Sequence, residues 1–283
     1  MRYASTRLTA ALLLLWCSAL LCSCGGSSSG NREANEDFVV VSLAPSATRI
    51  IYELGAQNSL KGCTSYCSTA PEDSIEVVSD ILTPNIEKII SLKPNLVVAT
   101  AMLGAQHIRS LEKFGIKVLM LPYPKSVDEA FEQYLEIAEI VGKGQIAQQH
   151  LKEYRSHIEQ VSQSMGKRDE SLFIQIGADP LFAATEGTFL SNCAEVCGLR
   201  NIMDSTSNGL VNKEFVITSN PKWMLLILMD NLQEKAYKEW LEFKNLSAVK
   251  DGRILLLDDN FCQPTPSSII GIVDSLKSFI EKH

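Results

Sequence analysis

Short, wholly apolar runs alternate with amphipathic stretches over most of this 283-residue chain. Phe38-Val39-Val40-Val41 has no polar position and suits a buried strand. From Pro45-Ser46 the apolar spacing turns helical, with Ile50, Ile51 and Leu54 on one side. Gly55 ends it, because glycine takes the left-handed terminal turn without a Cβ clash. Thr83-Pro84 begins another helix, with the proline in the first turn, where its missing N–H costs nothing. Ile86, Ile89 and Ile90 form its apolar stripe and Pro94 closes it. Residues 96–99 read as a strand, 108–114 as a helix and 116–121 as a further strand.

The most helical part of the chain follows. Ser126-Val127-Asp128-Glu129 predicts a capping box, in which the serine oxygen and the glutamate satisfy two backbone N–H groups reciprocally. The pattern runs to Val141, pauses at Gly142-Lys143-Gly144 and resumes over residues 145–165, a helix about 30 Å long at 1.5 Å per residue. Strands at 173–176, 224–228 and 254–257 and a helix over 268–281 complete the pattern. One signature occurs twice: Glu87 stands seven residues before Pro94, and Glu214 seven before Pro221, each proline launching an apolar strand. The order of elements predicts an α/β chain of two pseudo-duplicated lobes, residues 38–125 and 169–283. A helical connector over 126–168 joins them through one long rigid helix, with a cleft between the lobes.

Ahead of the lobes, Arg2 and Arg7 precede a mostly apolar run over residues 8–21. That length suits a secretory h-region, whereas a membrane span needs about twenty residues. Leu21-Cys22-Ser23-Cys24 then leads into Gly25-Gly26-Ser27-Ser28-Ser29-Gly30. The stretch resembles the lipobox of bacterial lipoproteins, with residues 1–23 as signal peptide and cleavage before Cys24. This implies a lipid-anchored Cys24 and a flexible tether over 24–37 that holds a soluble body at a membrane surface. The plainer alternative is an ordinary signal peptide with incidental cysteines. Either reading places the body in the cell envelope, outside the cytoplasm, and takes its formal charge from −7 to −9, since residues 1–23 hold two arginines and no acid.

With 46% hydrophobic and 21% charged residues the chain can bury a real core in each lobe. The acidic balance and the lack of any run of four basic residues argue against a nucleic-acid partner. Enzyme motifs are scarce. Gly26 to Gly30 spells G-x-S-x-G, but in a tether rather than on the strand-to-helix turn a nucleophile elbow needs. Gly142-Lys143-Gly144 follows a helix, not the strand of a dinucleotide fold. There is no Walker loop, H-E-x-x-H or C-x-x-C, so no catalytic residue and no metal site is assigned. His150 and His157, two turns apart on the long helix, read as members of a solvated face.

The body keeps five cysteines, and an odd number outside the cytoplasm leaves at least one thiol unpaired or bound to something. Cys193 and Cys197 lie four apart on a helix predicted over 188–196 and read as core thiols. Cys63 and Cys67 bracket a loop, where bridging, ligation and packing all stay open. Cys262 is the odd one. Trp223 and Trp240 take structural positions, while Tyr66 and Phe182 fall in loops after strands, where α/β lobes bind ligands.

Several segments stand in a specific order: Ser42-Leu43-Ala44-Pro45-Ser46-Ala47-Thr48, Gly62-Cys63-Thr64-Ser65-Tyr66-Cys67, Pro84-Asn85-Ile86-Glu87 leading to Leu92-Lys93-Pro94, Gln175-Ile176-Gly177 with Pro180-Leu181-Phe182, Gly187-Thr188-Phe189-Leu190, and Gly198 to Ile202. Together they resemble the helical-backbone (class III) substrate-binding lipoproteins of bacterial ABC importers, which take cobalamin, haem or ferric siderophores, and most of all the cobalamin-binding branch. The resemblance implies a monomeric binding module, not an enzyme, with a small-molecule ligand between the lobes and no cofactor of its own. It would deliver a corrinoid or related metal chelate to an ABC permease with its cytoplasmic ATPase.

Matching positions nominate Pro45, Ser46, Tyr66, Thr100, Ala101, Phe182, Asn208 and the loop of Asp259, Phe261 and Cys262 for the ligand, and Glu87 and Glu214 for docking to the permease. Cys67 and Cys262 fall in the expected cleft loops and are expected to touch the ligand or its metal. Thr100 and Asn208 stand where the cobalamin branch presents tryptophans, which leaves a ferric siderophore or haem as the alternative ligand. Residues 78–85 hold no tyrosine or histidine, where haem-binding members carry an axial tyrosine. An extracytoplasmic metal-dependent enzyme or interaction protein on the same lobes is the reading from another class.

Overall fold

Val40–Ser42 (β1) is buried at all three positions because it is the middle strand of a parallel sheet covered on both faces. Around it lie Leu60–Thr64 (β2), Glu76–Ser79 (β3), Leu96–Thr100 (β4) and Lys117–Leu121 (β5), in the order β3-β2-β1-β4-β5. Alternation along the strands feeds two cores. Val40 and Val98 join one with Ile50 and Ile51 of the helix Pro45–Glu53 (α1), while Val41 and Val97 join the other. Ile89 of Ile86–Ser91 (α2) and Leu111 of Ala105–Lys113 (α3) close that second core.

The computed structural model describes residues 38–67, 73–80, 83–204, 208–228 and 230–283. The signal peptide over 1–23, the tether over 24–37 and the lipid-anchor cysteine Cys24 lie outside the described residues.

Val127–Ile140 (α4) and Gly144–Met165 (α5) connect the two sheets. The second sheet is built on Glu170–Ala178 (β6), with Trp223–Ile227 (β9) and Ile254–Leu257 (β10) to one side, all parallel. Leu199–Asn201 (β8) pairs parallel with the start of β6, and Leu181–Ala183 (β7) antiparallel with its end. Phe189–Val196 (α6), Lys213–Ser219 (α7), Asp230–Leu241 (α8), Ser247–Lys250 (α9) and Pro266–Lys282 (α10) complete the chain. The order β8-β6-β9-β10 repeats β2-β1-β4-β5, and Leu172 pairs with Trp223 as Val40 pairs with Leu96.

The repeat reaches the backbone. Asn85 accepts the Lys88 N–H at 2.9 Å and Asn212 the Phe215 N–H at 2.8 Å, so both short helices start on the same side-chain cap. Both end on a left-handed residue just before the proline, Lys93 at φ 50° and Asn220 at φ 44°. A lysine costs more there than asparagine, which tolerates that conformation.

One buried cluster runs from Val40 through Phe131, Leu151 and Ile272 to Ile174, so the lobes share a core through α4, α5 and α10. Such a joint resists large hinge bending.

Several expectations are corrected. Pro84 is not inside a helix: it pairs in an extended bridge with Ser79, and the Asn85 cap delays the helix to Ile86. Ser126 caps Glu129 as expected, but Glu129 reaches back one residue further, accepting the Lys125 N–H at 2.7 Å. Cys63 lies inside β2, and Phe182 lies on β7 rather than in a loop. The two histidines are not a free solvated face. His150 Nδ1 bonds Tyr134 Oη at 2.8 Å, joining α5 to α4, and His157 Nε2 bonds Asp274 at 2.7 Å, joining α5 to α10.

Candidate functional site

Three loops leave the carboxyl ends of parallel strands and meet, which is where open α/β sheets form ligand crevices. After β1 the Ser42 hydroxyl donates to the Ala44 carbonyl at 2.8 Å and the chain turns straight into α1. After β2 a turn returns the Cys67 N–H to the Thr64 carbonyl at 3.1 Å. After β10 the Asp258 carboxylate accepts the Asn260 N–H at 2.9 Å and starts a single 3₁₀ turn over Asp259–Cys262. Between them lies a cavity of about 360 Å³. Pro45, Thr48, Arg49, Tyr66 and Cys67 form its wall in the first lobe, and Asp258, Asn260, Phe261 and Gln263 in the second.

Pro45, Tyr66, Cys67 and Phe261 were singled out from the sequence, and the structure brings them around this one cavity. The Phe261 ring lies against Gly271 of α10, where an added Cβ would come within 2.5 Å of it. Ser46 is half-buried in the first turn of α1, next to Pro45. Thr100 ends β4 and accepts the Met102 N–H at 3.4 Å, and Ala101 is exposed beside it. Phe182 and Asn208 meet elsewhere: Phe182 bridges Leu210, and Asn208 accepts the Leu210 N–H at 3.0 Å. Asp259 and Cys262 belong to the 3₁₀ turn, but the Cys262 thiol points to the Ile227 carbonyl at 3.9 Å. None of Ser46, Thr100, Ala101, Phe182, Asn208, Asp259 and Cys262 lines the cavity.

Thr48, Arg49, Asp258, Asn260 and Gln263 are the cavity residues that sequence reading missed. Thr48 and Arg49 follow Pro45 at helical spacing, so the first turns of α1 carried a signal. Asn260 and Gln263 carried none, since they reach Arg49 only through the fold.

Arg49 is the one basic residue among the described residues lining the cavity. It donates to the Asn260 carbonyl at 3.3 Å and to Ser267 Oγ at 3.2 Å, tying α1 of the first lobe to the second. Its Nε lies 3.5 Å from Glu53 Oε1, which also accepts from the Ser267 hydroxyl. Glu53 Oε2 is buried with no hydrogen-bond partner among the described residues. The carboxylate therefore depends on Arg49. Arg49→Ala is expected to lower stability by about 1–3 kcal/mol by leaving the half-buried Glu53 carboxylate without its cationic partner. Adding Glu53→Gln is expected to restore part of the loss, as urea denaturation would measure. An additive double mutant would show that the clasp carries no coupling.

The five described cysteines are all free thiols, in two kinds of surroundings. Burial drives Cys193 up, and burial together with the Asp274 charge pushes Cys197 up to about 12. Cys262 is likewise pushed to about 12, by burial and the Asp259 charge. Cys67 goes the other way. The neighbouring Cys63 thiol and the Thr48 and Thr64 hydroxyls beside it hold it well below an ordinary thiol despite its burial, while Cys63 is raised in return. Among the described residues no group of three or more His, Cys, Asp or Glu side chains is placed to hold a metal ion.

Glu87 and Glu214 are both exposed, each in the first turn of its helix, α2 or α7. The lysine beside each is engaged elsewhere. Lys88 pairs with Glu76 at 2.9 Å and Lys213 with Glu239 at 2.6 Å, so neither glutamate is neutralised by its neighbour.

This arrangement has known counterparts. The chain is 29% identical over 252 residues to the uncharacterised ABC transporter substrate-binding lipoprotein YvrC of Bacillus subtilis (strain 168), covering 85% of this chain and 79% of that one. It is 28% identical over 247 residues to the vitamin B12-binding protein of Vibrio vulnificus (strain CMCP6), covering 85% and 89%. Among solved structures the fold resembles the periplasmic vitamin B12 binding protein BtuF of Vibrio cholerae, with TM-score 0.71, 24% identity and coverage of 86% and 97%. It also resembles the periplasmic heme binding protein HutB of Vibrio cholerae, with TM-score 0.76, 14% identity and coverage of 86% and 98%. Residues 40–261, which take in the connector, the cavity loops up to Phe261 and all of the second lobe but its C-terminal segment, match the periplasmic binding protein family, and the chain belongs to that family.

Proposed function

We propose that this chain is the substrate-binding component of an ABC importer and that its ligand is cobalamin or a closely related corrinoid. The observation that carries the corrinoid reading is the likeness to vitamin B12-binding proteins along 85% of the chain. Capture and presentation are the whole of its chemistry. The ligand brings its own metal, and the protein needs neither a resident cofactor nor a catalytic group. Tyr66 and Phe261 offer apolar faces to a flat macrocycle, while Arg49, Asp258, Asn260 and Gln263 supply donors and acceptors for its polar periphery. Glu87 and Glu214 present one carboxylate per lobe to basic residues of the permease, and Cys24 anchors the monomeric body in the envelope.

Titrating the purified protein with cyanocobalamin tests this directly. One-to-one binding with a Kd below about 1 μM, roughly −8 kcal/mol, is the expected result. One observation favours a second ligand class: no tryptophan is among the described residues lining the cavity, so large stacking plates are few. Ferric haem and a ferric siderophore are therefore titrated in parallel. Binding of one of these with no response to cyanocobalamin would keep the importer reading and replace the ligand.

A further inference from the structure

Arg49 and Glu53 lie one turn apart on α1, and together they make three hydrogen bonds to the second lobe. Two of these close into a ring with one direction. Arg49 Nη2 donates to the Ser267 hydroxyl at 3.2 Å, that hydroxyl donates to Glu53 Oε1, and Glu53 Oε1 faces Arg49 Nε at 3.5 Å. Ser267 can serve both partners because a hydroxyl accepts as well as donates. The opposite charges on its two sides decide which way it points. From the same guanidinium, Nη1 donates to the Asn260 carbonyl at 3.3 Å, and Ser268 Oγ donates to that carbonyl at 3.3 Å as well. Asn260 stands between Asp258 and Phe261, and all three line the cavity. The turn that walls the cavity in the second lobe is thus suspended between a first-lobe arginine and α10.

Stability alone does not account for the ring. An ion pair withdrawn from water returns little net energy, and this one leaves Glu53 Oε2 buried without a hydrogen-bond partner among the described residues. Neither Glu53 nor Ser267 lines the cavity. Their shared effect is on Arg49, a long side chain with many rotamers that they hold in one orientation at the lobe boundary. We infer that Glu53 and Ser267 are positioning residues of the ligand site: they fix Arg49, and Arg49 through the Asn260 carbonyl fixes how far the two walls of the cavity stand apart. Walls already held at one separation spare the ligand the cost of ordering them, which is how a preorganised site gains affinity. The inference rests on the reading of this cavity as the ligand site and concerns residues outside its lining.

Cyanocobalamin is the probe, titrated into the purified protein at a temperature where denaturation curves show every variant folded. Ser267→Ala is expected to weaken capture about 3- to 10-fold, chiefly through faster release. Ser267→Thr keeps the hydroxyl and is expected to recover most of that loss. In an Arg49→Ala background Ser267→Ala is expected to cost nothing further, because the serine acts through the arginine. A purely structural role would move the denaturation midpoint and leave the affinity of the folded protein where it was. Hydrogen exchange in the ligand-free protein gives a second readout. The Phe261 and Gln263 amides, which donate to the Asp258 and Asn260 carbonyls at 3.1 Å, are expected to exchange faster in Ser267→Ala and in Glu53→Gln. Those of Trp223–Ile227 in the sheet are expected to keep their rates.

Unchanged cyanocobalamin affinity in Ser267→Ala, or the same loss in both backgrounds, would overturn the inference and leave the corrinoid reading standing. If the unaltered chain binds no cyanocobalamin, the corrinoid reading falls on its own and exchange decides this inference. Faster exchange confined to the turn then supports it, and unchanged exchange there overturns it.

Discussion

Replacing Glu87 and Glu214 together by alanine is expected to abolish ligand uptake by cells while leaving capture by the purified protein unchanged. The two carboxylates occupy the same place in the two halves of the fold, on the first turn of a short helix that begins at an asparagine cap and ends at a left-handed residue before a proline. Neither lines the cavity. The lysine beside each is held by another carboxylate, and among the described residues neither glutamate forms an ion pair. An uncompensated surface charge adds little to the stability of the chain itself, since exposed pairs contribute about 0–1 kcal/mol. Buried against a basic residue of a permease, the same charge becomes a strong determinant. Removing one partner of such an interfacial pair costs about 2–5 kcal/mol.

Single substitutions are therefore expected to weaken uptake in part, and the double substitution to bring it to background. Corrinoid-dependent growth of cells that lack the native chain would read the loss, with calorimetry confirming retained capture. Undiminished growth with the double variant would remove these residues from the docking surface.

The halves of this fold were legible wherever a single strand or helix buries its own periodic face. Val40, Val98 and Ile227 sit on strands covered on both sides, and their apolar runs announce them. β3, β7 and β8 were not legible. β3 exposes Glu76 and Val77, while β7 and β8 have three residues each and exist because β2 or β6 offers an edge to pair with. The twin glutamate–proline spacing was readable, but its shared asparagine caps were not singled out, because an asparagine three residues before a helical N–H is common in turns as well. Pro84 misled for a related reason: a proline suits both the first turn of a helix and the extended residue before a cap.

At the site, a loop after a strand pointed to Tyr66 and the family resemblance to Cys67 and Phe261, and all three line the cavity. The partnership of Arg49 with Asn260 spans 211 residues and has no local signature. Cys262 is adjacent in sequence to a wall residue, yet its side chain turns inward to β9, a choice made by the 3₁₀ turn rather than by composition.

Trp240→Ala is expected to produce the largest loss of stability of any single substitution argued from this structure, about 3–5 kcal/mol from the deleted aromatic volume alone. Trp240 is 1% exposed on α8 and meets Phe173 edge-on at 6.0 Å and Phe243 at 5.8 Å. Its Nε1 donates to Gln175 Oε1 at 2.7 Å, and Gln175, itself 2% exposed, spends its amide on the Gly177 carbonyl at 3.0 Å. The indole thus satisfies a buried amide oxygen in the middle strand of the second sheet.

Trp240→Phe isolates that bond: most of the packing stays, Gln175 Oε1 loses its donor, and the expected cost is about 1–3 kcal/mol. Trp240 also lies 5.8 Å from Lys213 Nζ, at the first position of the helix that carries Glu214. Truncation to alanine is therefore expected to loosen α7 as well, raising hydrogen exchange over Lys213–Ser219 beyond what Trp240→Phe does. Denaturant midpoints and exchange rates of the two variants decide the matter. A Trp240→Ala protein within about 1 kcal/mol of the unaltered chain would mean that α8 is not fixed to the sheet through this ring. A loss of the expected size with unchanged exchange in α7 would confine its influence to the core and separate it from the helix that carries Glu214.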